Sequence, residues 1–214
     1  MAALTAFALA FALPPSIHAA AATAASAAKT NDDPQTLLRA AVDEVLALAY
    51  PATPADPASP APAVLATRVR PVLEKYFSFD LLTRSAVGPA WRDFTAEQQK
   101  KITTLFTEIV IRSYAEKFEP GARPAVAYAR PNEVNATTRE LPTTVALAGK
   151  TFAVAYRFRQ LPEGWRIYDV NIEGVSMVAN YRAQFDPIAQ KKDGAAALIA
   201  ALEKNISDFN AGKK

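Results

Sequence analysis

The chain has no cysteine, a single histidine and only seven glycines among its 214 residues. Without cysteine there is no disulfide, no thiol nucleophile and no Cys-ligated zinc site. The one histidine, His18, lies in an N-terminal segment that reads as removable, and without it no imidazole remains for a Ser-His-Asp relay. The scarcity of glycine argues against a glycine-rich phosphate cradle. Gly149-Lys150-Thr151 ends like a P-loop, but Thr144 stands where that loop needs its first glycine, and no Gly-x-Gly-x-x-Gly occurs. A tight hairpin turn explains the tripeptide. Charge of one sign is missing too: 24 Lys plus Arg face 21 Asp plus Glu, a net +3 with the basic residues scattered, which points away from nucleic acid. Catalysis is left with carboxylates, Tyr, Lys and Arg. The best buried carboxylate, Asp169, sits alone on a strand between Tyr168 and Val170. No cofactor or metal is expected.

A long hydrophobic run is also lacking. The longest, residues 2–13, is about a dozen residues, whereas a transmembrane helix needs roughly 20. It is followed by Pro14-Pro15 and small residues, and no charge precedes Lys29. These features fit a secretory signal peptide over residues 1–21, cleaved near Ala19–Ala22, although the chain opens without the usual Lys or Arg. Residues 22–33 then form a flexible Ala/Thr/Ser lead-in. Export without cysteine suits a periplasm.

What is present is apolar periodicity. Half the residues are hydrophobic and 21% charged, the balance of a globular protein with a real core. One domain over residues 34–210 is expected. Asp33 as N-cap and Pro34 at the first helical position open a helix whose apolar face carries Leu37, Leu38, Ala41, Val45 and Leu46. Residues 51–63 hold five prolines and read as an inserted exposed loop. A second helix follows over 64–76, kinked or restarted at Pro71. Ser78 caps a short helix over 79–87 that ends at Gly88-Pro89, and Thr95 to Gln98 form a capping box for the longest helix, ending near Phe118.

Beyond Phe118 the period changes from 3.6 to 2. Residues 124–128, 133–139, 143–148, 151–159 and 165–172 are strand candidates, separated by links too short for parallel crossovers. Ser176 and Asp193 then cap two final helices. The fold class is α+β: a curved antiparallel sheet of about five strands with helices packed on one face. In residues 151–159, Phe152, Val154, Tyr156 and Phe158 share a face; strict alternation puts Tyr168, Val170 and Ile172 together on the next strand. Such an apolar concave face either fills with side chains or encloses a cavity. The pattern alone favours a filled core, and a small α+β hydrolase or a ligand-free adaptor domain stays open.

Residues Glu173-Gly174-Val175-Ser176-Met177-Val178-Ala179-Asn180-Tyr181-Arg182-Ala183-Gln184-Phe185, with Trp165-Arg166-Ile167-Tyr168-Asp169-Val170 before them, resemble the signature of the MlaC family, also called toluene-tolerance auxiliary proteins. Upstream, Tyr76-Phe77-Ser78-Phe79-Asp80, Ala86-Val87-Gly88-Pro89-Ala90-Trp91, Phe94-Thr95-Ala96-Glu97-Gln98-Gln99 and Tyr114-Ala115 agree, so the resemblance runs from about Val69 to Leu202. It departs from the family in the proline-rich insertion and the uncharged start. The resemblance implies a periplasmic, non-enzymatic carrier that holds a phospholipid in an apolar cavity. Its implied partners are an inner-membrane lipid ABC transporter, through an MCE-type substrate-binding subunit, and an outer-membrane lipoprotein/porin complex. Relatives linked to hopanoids leave the lipid open. A monomer is expected. On this basis Phe152, Val154, Tyr156, Phe158, Tyr168, Val170 and Ile172 are expected to form the sheet wall of the pocket, faced by Phe106, Val110 and Tyr114 and closed by Phe77, Leu81 and Val175. Arg112, Lys117 and Arg182 are the candidate headgroup neighbours.

Overall fold

Helix α1, Pro34–Ala49, starts as the sequence marks it: the Asp33 carboxylate accepts hydrogen bonds from the amides of Gln35 (3.3 Å) and Thr36 (3.0 Å), satisfying two otherwise orphan donors. The structure, a computed structural model, describes residues 33–51, 61–118 and 123–211. The expected signal peptide, nearly all of the lead-in and the body of the proline-rich insertion lie outside the described residues.

Helix α2, Pro62–Tyr76, begins two residues earlier than the apolar spacing suggested, because Pro62 itself occupies the first turn. It also runs unbroken through Pro71. Pro71 and Thr67, whose carbonyl loses its helical donor, are both exposed, so water can take the place of the missing bond. Helix α3, Phe79–Val87, is capped by Ser78 and ends at Gly88, whose φ of 78° suits glycine. A 3₁₀ turn, Gly88–Asp93, leads to helix α4, Ala96–Ala115, which opens on the expected Thr95–Gln98 capping box but stops three residues early.

Strands β1 (Ala125–Tyr128), β2 (Asn132–Asn135), β3 (Thr138–Leu147), β4 (Lys150–Leu161), β5 (Gly164–Ile172) and β6 (Val175–Ser176) make one antiparallel sheet. Its path is β1-β3-β4-β5-β6, with β2 also on β3, so β1 and β2 lie in series along one edge of β3. This corrects the expected strands 133–139 and 143–148. The chain turns at Ala136-Thr137, because the Asn135 side chain accepts from the Thr137 amide at 3.0 Å. It then runs straight through Leu141-Pro142, which had read as a link. The Pro142 carbonyl accepts from the Ala129 amide at 3.0 Å, so its missing N–H falls on the side where β1 hands over to β2 and the β3–β4 ladder is untouched. Gly149-Lys150 belongs to a two-residue hairpin: Ala148 and Gly149 both have positive φ, 49° and 76°.

Helix α5, Met177–Ala189, is capped by Ser176, whose hydroxyl accepts from the Ala179 amide at 3.0 Å. Helix α6, Gly194–Asn210, follows Asp193, but that side chain makes no cap bond. Its backbone, at φ −106° and ψ 34°, is not in the extended conformation that aims a cap inward.

The buried side chains fall into two clusters. One joins α2 to α6 through residues such as Leu65, Leu82, Ile102, Phe106, Ile111, Phe185 and Leu198. The other joins the sheet to the first half of α1, through Leu37, Leu38, Ala41, Leu141, Val154, Phe158, Trp165 and Ile167. The long helix α4 packs chiefly on α2, α3 and α6, and no strand is among its principal neighbours. A link between the layers runs through the α2–α3 junction, where the Ser78 amide donates to the Ile167 carbonyl at 2.8 Å.

Asp169, 2% exposed, ties β5 to the start of α5. Its carboxylate accepts from the Ser176 hydroxyl (2.6 Å) and the Val178 amide (3.0 Å), with the Arg157 guanidinium at 3.9 Å. Asp169→Ala strands two donors and is expected to cost ~2–4 kcal/mol, while Asn, still an acceptor, should recover part of the loss. Chemical denaturation of the three proteins checks this ranking.

Candidate functional site

The sheet's inner face is the place to look, because the alternation of β3 and β4 puts its large residues on the side that meets the helices. Register sets Val145 beside Phe152, Thr143 beside Val154 and Leu141 beside Tyr156 on one side; β5 brings Ile172 to Val154 and Val170 to Tyr156 on the other. β1 adds Val126 and Tyr128 opposite Val145 and Thr143. Burial along this face is uneven. Phe158 and Leu141 are 0% exposed and belong to the sheet cluster, whereas Phe152, Tyr156, Tyr128, Val145 and Ile172 are only half-buried against it.

A β-bulge redirects one expected wall residue. Arg157 pairs with Asp169 and Phe158 with Ile167, so Tyr168 has no partner on β4. The extra residue leaves Ile167 facing in with Phe158 and Tyr168 on the arginine side, where the Arg159 guanidinium stacks 5.7 Å from its ring centre. Tyr168 is therefore not a wall residue, and Trp165 and Ile167 take the inward places that strict alternation denied them.

The helix layer contributes less of the long helix than expected. Phe106, 0% exposed, packs among the helices, edge-on to Tyr181 (4.6 Å) and Phe185 (5.0 Å), and Val110 lies in the same helical cluster. Tyr114 alone of the three looks toward the strands. It is half-buried, and its phenol is near enough to Asp169 on β5 and Tyr156 on β4 to interact with both electrostatically. Phe77, stacked on Phe79 at 5.7 Å, packs against both clusters, and Leu81 is half-buried on α3. Val175 does not close the space: it is 61% exposed on the sheet's β6 edge. Tyr128 and Val145 share this inner face, which sequence reasoning missed. Their signal was pairing, opposite Thr143 and Phe152, which a strand broken at Pro142 concealed.

Burial pushes the Tyr156 phenol up to about 12, with the nearby Tyr128 and Tyr114 phenols acting in the same direction. Burial likewise pushes Tyr114 up to about 12, aided by Tyr181 and Asp169. Both side chains nevertheless keep accessible surface. Because the folded values lie above that of an unfolded tyrosine, stability from keeping these phenols neutral is complete below pH 10. It is lost as pH rises from 10 through about 12. Ultraviolet titration should therefore show two tyrosines ionising last, and Tyr114→Phe and Tyr156→Phe should each remove one of them.

The candidate cations are not equivalent. The Arg112 guanidinium bonds Glu108 and the Asn210 side chain and lies over the Phe209 ring. It faces a separate pocket of about 330 Å³ lined by Ala63, Ala66, Thr67, Arg70, Glu108, Arg112, Phe209 and Asn210, in which Arg70 also pairs with Glu108. Arg182 donates to the Ser85 carbonyl and packs on Gly88, closing the end of α3. Lys117 is exposed just past α4, three residues from Tyr114, and makes no ion pair among the described residues. Among those residues no cluster of acidic or imidazole side chains could hold a metal ion, and no helix is long and apolar enough to cross a membrane.

A family model described as "MlaC protein" matches residues 40–204 of the chain. Among solved structures, the chain is similar to a phospholipid-binding protein of Ralstonia solanacearum determined in complex with a phospholipid. The two are 28% identical with a TM-score of 0.74, and the match covers 83% of this chain and 99% of the other. No curated protein matches the chain.

Proposed function

The chain belongs to the MlaC family, and from that premise we propose that it is a phospholipid carrier whose acyl chains lie between the sheet and the helix layer. The observation that carries this reading is the half-buried row of Phe152, Tyr156, Tyr128, Val145 and Ile172 along the sheet's inner face, with Phe77 packed on both buried clusters and Tyr114 on the helical one. A filled core would bury these side chains as fully as Phe158 and Leu141 are buried. The solved relative's bound phospholipid supplies the ligand class. Lys117 is the headgroup neighbour this reading retains, since Arg112 and Arg182 are engaged elsewhere.

Energetics fit carriage. Each methylene gains about 0.8 kcal/mol on leaving water, so two tails with about thirty methylenes would nominally exceed the roughly 18–21 kcal/mol ceiling on affinity. A lipid taken from water would scarcely leave. Exchange with a bilayer or an apolar channel moves the tails between like media, so the net change can be near zero. The carrier therefore needs docking partners rather than a catalytic group. We place it in the periplasm, with residues 1–21 as its signal peptide, shuttling lipid between an inner-membrane ABC transporter and an outer-membrane complex. The hydrolase alternative loses its best carboxylate, because both oxygens of Asp169 are engaged.

Native mass spectrometry of the exported protein tests the proposal. A phospholipid mass on the gently extracted protein, exchangeable with lipid vesicles, is the expected result. A protein that emerges bare and takes up no lipid from vesicles overturns it.

A further inference from the structure

Two hydroxyls stand out where the helix layer and the sheet's inner face meet. Tyr114 comes from the helix layer and Tyr156 from the central strand β4, between Leu141 and Val170. Each ring packs against a different buried cluster, yet the two phenols are close enough to act on one another. Neither hydroxyl has a hydrogen-bond partner among the described residues, and neither side chain is fully buried. Tyr181 differs: its hydroxyl bonds Ser113. Two unpartnered donors among apolar side chains become costly once a lipid displaces water from them, unless that lipid supplies an acceptor.

We propose that Tyr114 and Tyr156 form a polar clasp that donates hydrogen bonds to the ester carbonyls joining the acyl chains to the lipid's glycerol. This rests on the carrier reading above and adds the part of the lipid that the site selects. The acceptor is uncharged. The Asp169 carboxylate already acts on Tyr114, so a phosphate brought beside that phenol would meet a like charge, with the Arg157 guanidinium 3.9 Å from Asp169 already paired to it. A phenol donating to a carbonyl keeps its proton, so nothing needs to ionise. The clasp makes the site selective: an ester-linked lipid offers both donors carbonyl oxygens, whereas an ether-linked lipid of the same length offers only weaker ether acceptors and a hydrocarbon body none.

The test compares a diacyl phosphatidylglycerol with its dialkyl ether analogue on the full chain, the Tyr114→Phe and Tyr156→Phe proteins and the double variant. The wild type should bind the ester about tenfold more tightly than the ether. In the double variant the ester affinity should fall about tenfold, to that of the ether. With ¹³C-labelled ester carbonyls, infrared spectroscopy should show the bound carbonyl stretch at lower frequency in the wild type and not in the double variant, a signature that altered packing alone would not produce. Equal wild-type affinity for ester and ether, or an ester preference that survives in the double variant, overturns the clasp while leaving the carrier reading intact. Binding of neither lipid overturns both.

Discussion

Glutamate in place of Phe152 is expected to abolish lipid uptake while leaving the protein folded. Phe152 lies on the inner face of β4 beside Val145, half-buried against the sheet cluster, where the proposed carrier would meet the acyl chains. In the empty protein water can reach a carboxylate there, so stability should change by no more than about 1 kcal/mol. With acyl chains in place the same carboxylate must lose its water or accept a proton, and an unpaired charge in an apolar site is far costlier than a lost methylene contact. A fall in affinity of at least about 100-fold is the outcome, read by titration with a fluorescent phospholipid alongside a thermal melt. Glutamate at Phe158, six residues along on the same face but fully buried, should instead unfold the domain. If Phe152→Glu binds lipid as the wild type does, Phe152 is no part of the wall.

Gly194→Ala should be among the most destabilising single substitutions in the chain. A Cβ at Gly194 would sit 2.0 Å from the Ala189 carbonyl oxygen and 2.6 Å from its carbon, and both are backbone atoms that no rotamer change can move. The α5–α6 corner would have to open, although Ala189, Ala195 and Leu198 around it are buried in the helical core. Overpacking against backbone costs about 3 kcal/mol or more, a large share of the ~5–15 kcal/mol that holds a typical domain together. For a chain of this size that lowers Tm by roughly 6–12 °C. Differential scanning calorimetry checks it, and a melt within 2 °C of the wild type, about the shift of a ~1 kcal/mol change, would refute the close approach.

Local signals in the sequence translated into structure where short-range chemistry decides. Asp33, Ser78, Thr95–Gln98 and Ser176 all cap the helices they were expected to cap, because a side-chain oxygen meeting an amide within three residues needs no tertiary help. The antiparallel sheet with its helices is the expected α+β class, and the family resemblance holds over residues 40–204. What failed was non-local. Pro142 read as a break, but a proline is tolerated in a strand when its missing donor falls at a gap between neighbours, and only the pairing of β1 and β2 reveals that gap. Tyr168 read as inward because alternation was counted through a bulge that exists only against β4. Phe106 and Val110 sit on the apolar side of their helix as read, but an apolar stripe does not say which layer it faces, and here the neighbours are helices. The alternation of Phe152, Val154, Tyr156 and Phe158 was legible; that Phe158 is sealed and Phe152 and Tyr156 are not is set by packing between elements distant in the chain.

The serial arrangement of β1 and β2 has a bearing on solubility. A ten-residue strand such as β3 at the rim of a sheet would offer a long row of unpaired amides and carbonyls to any extended chain nearby. Instead β3 is sheathed by two four-residue strands, and Pro131, between them, removes an amide donor where they meet. An incoming strand finds two short, twisted segments in place of one continuous template, and Arg130 and Glu133 on this border add charge. A carrier of the kind proposed exposes apolar surface whenever it is empty and is prone to self-association through it. Its other common route to aggregation, edge-to-edge strand addition, is blunted by the same proline-marked handover that concealed the sheet's register from its sequence.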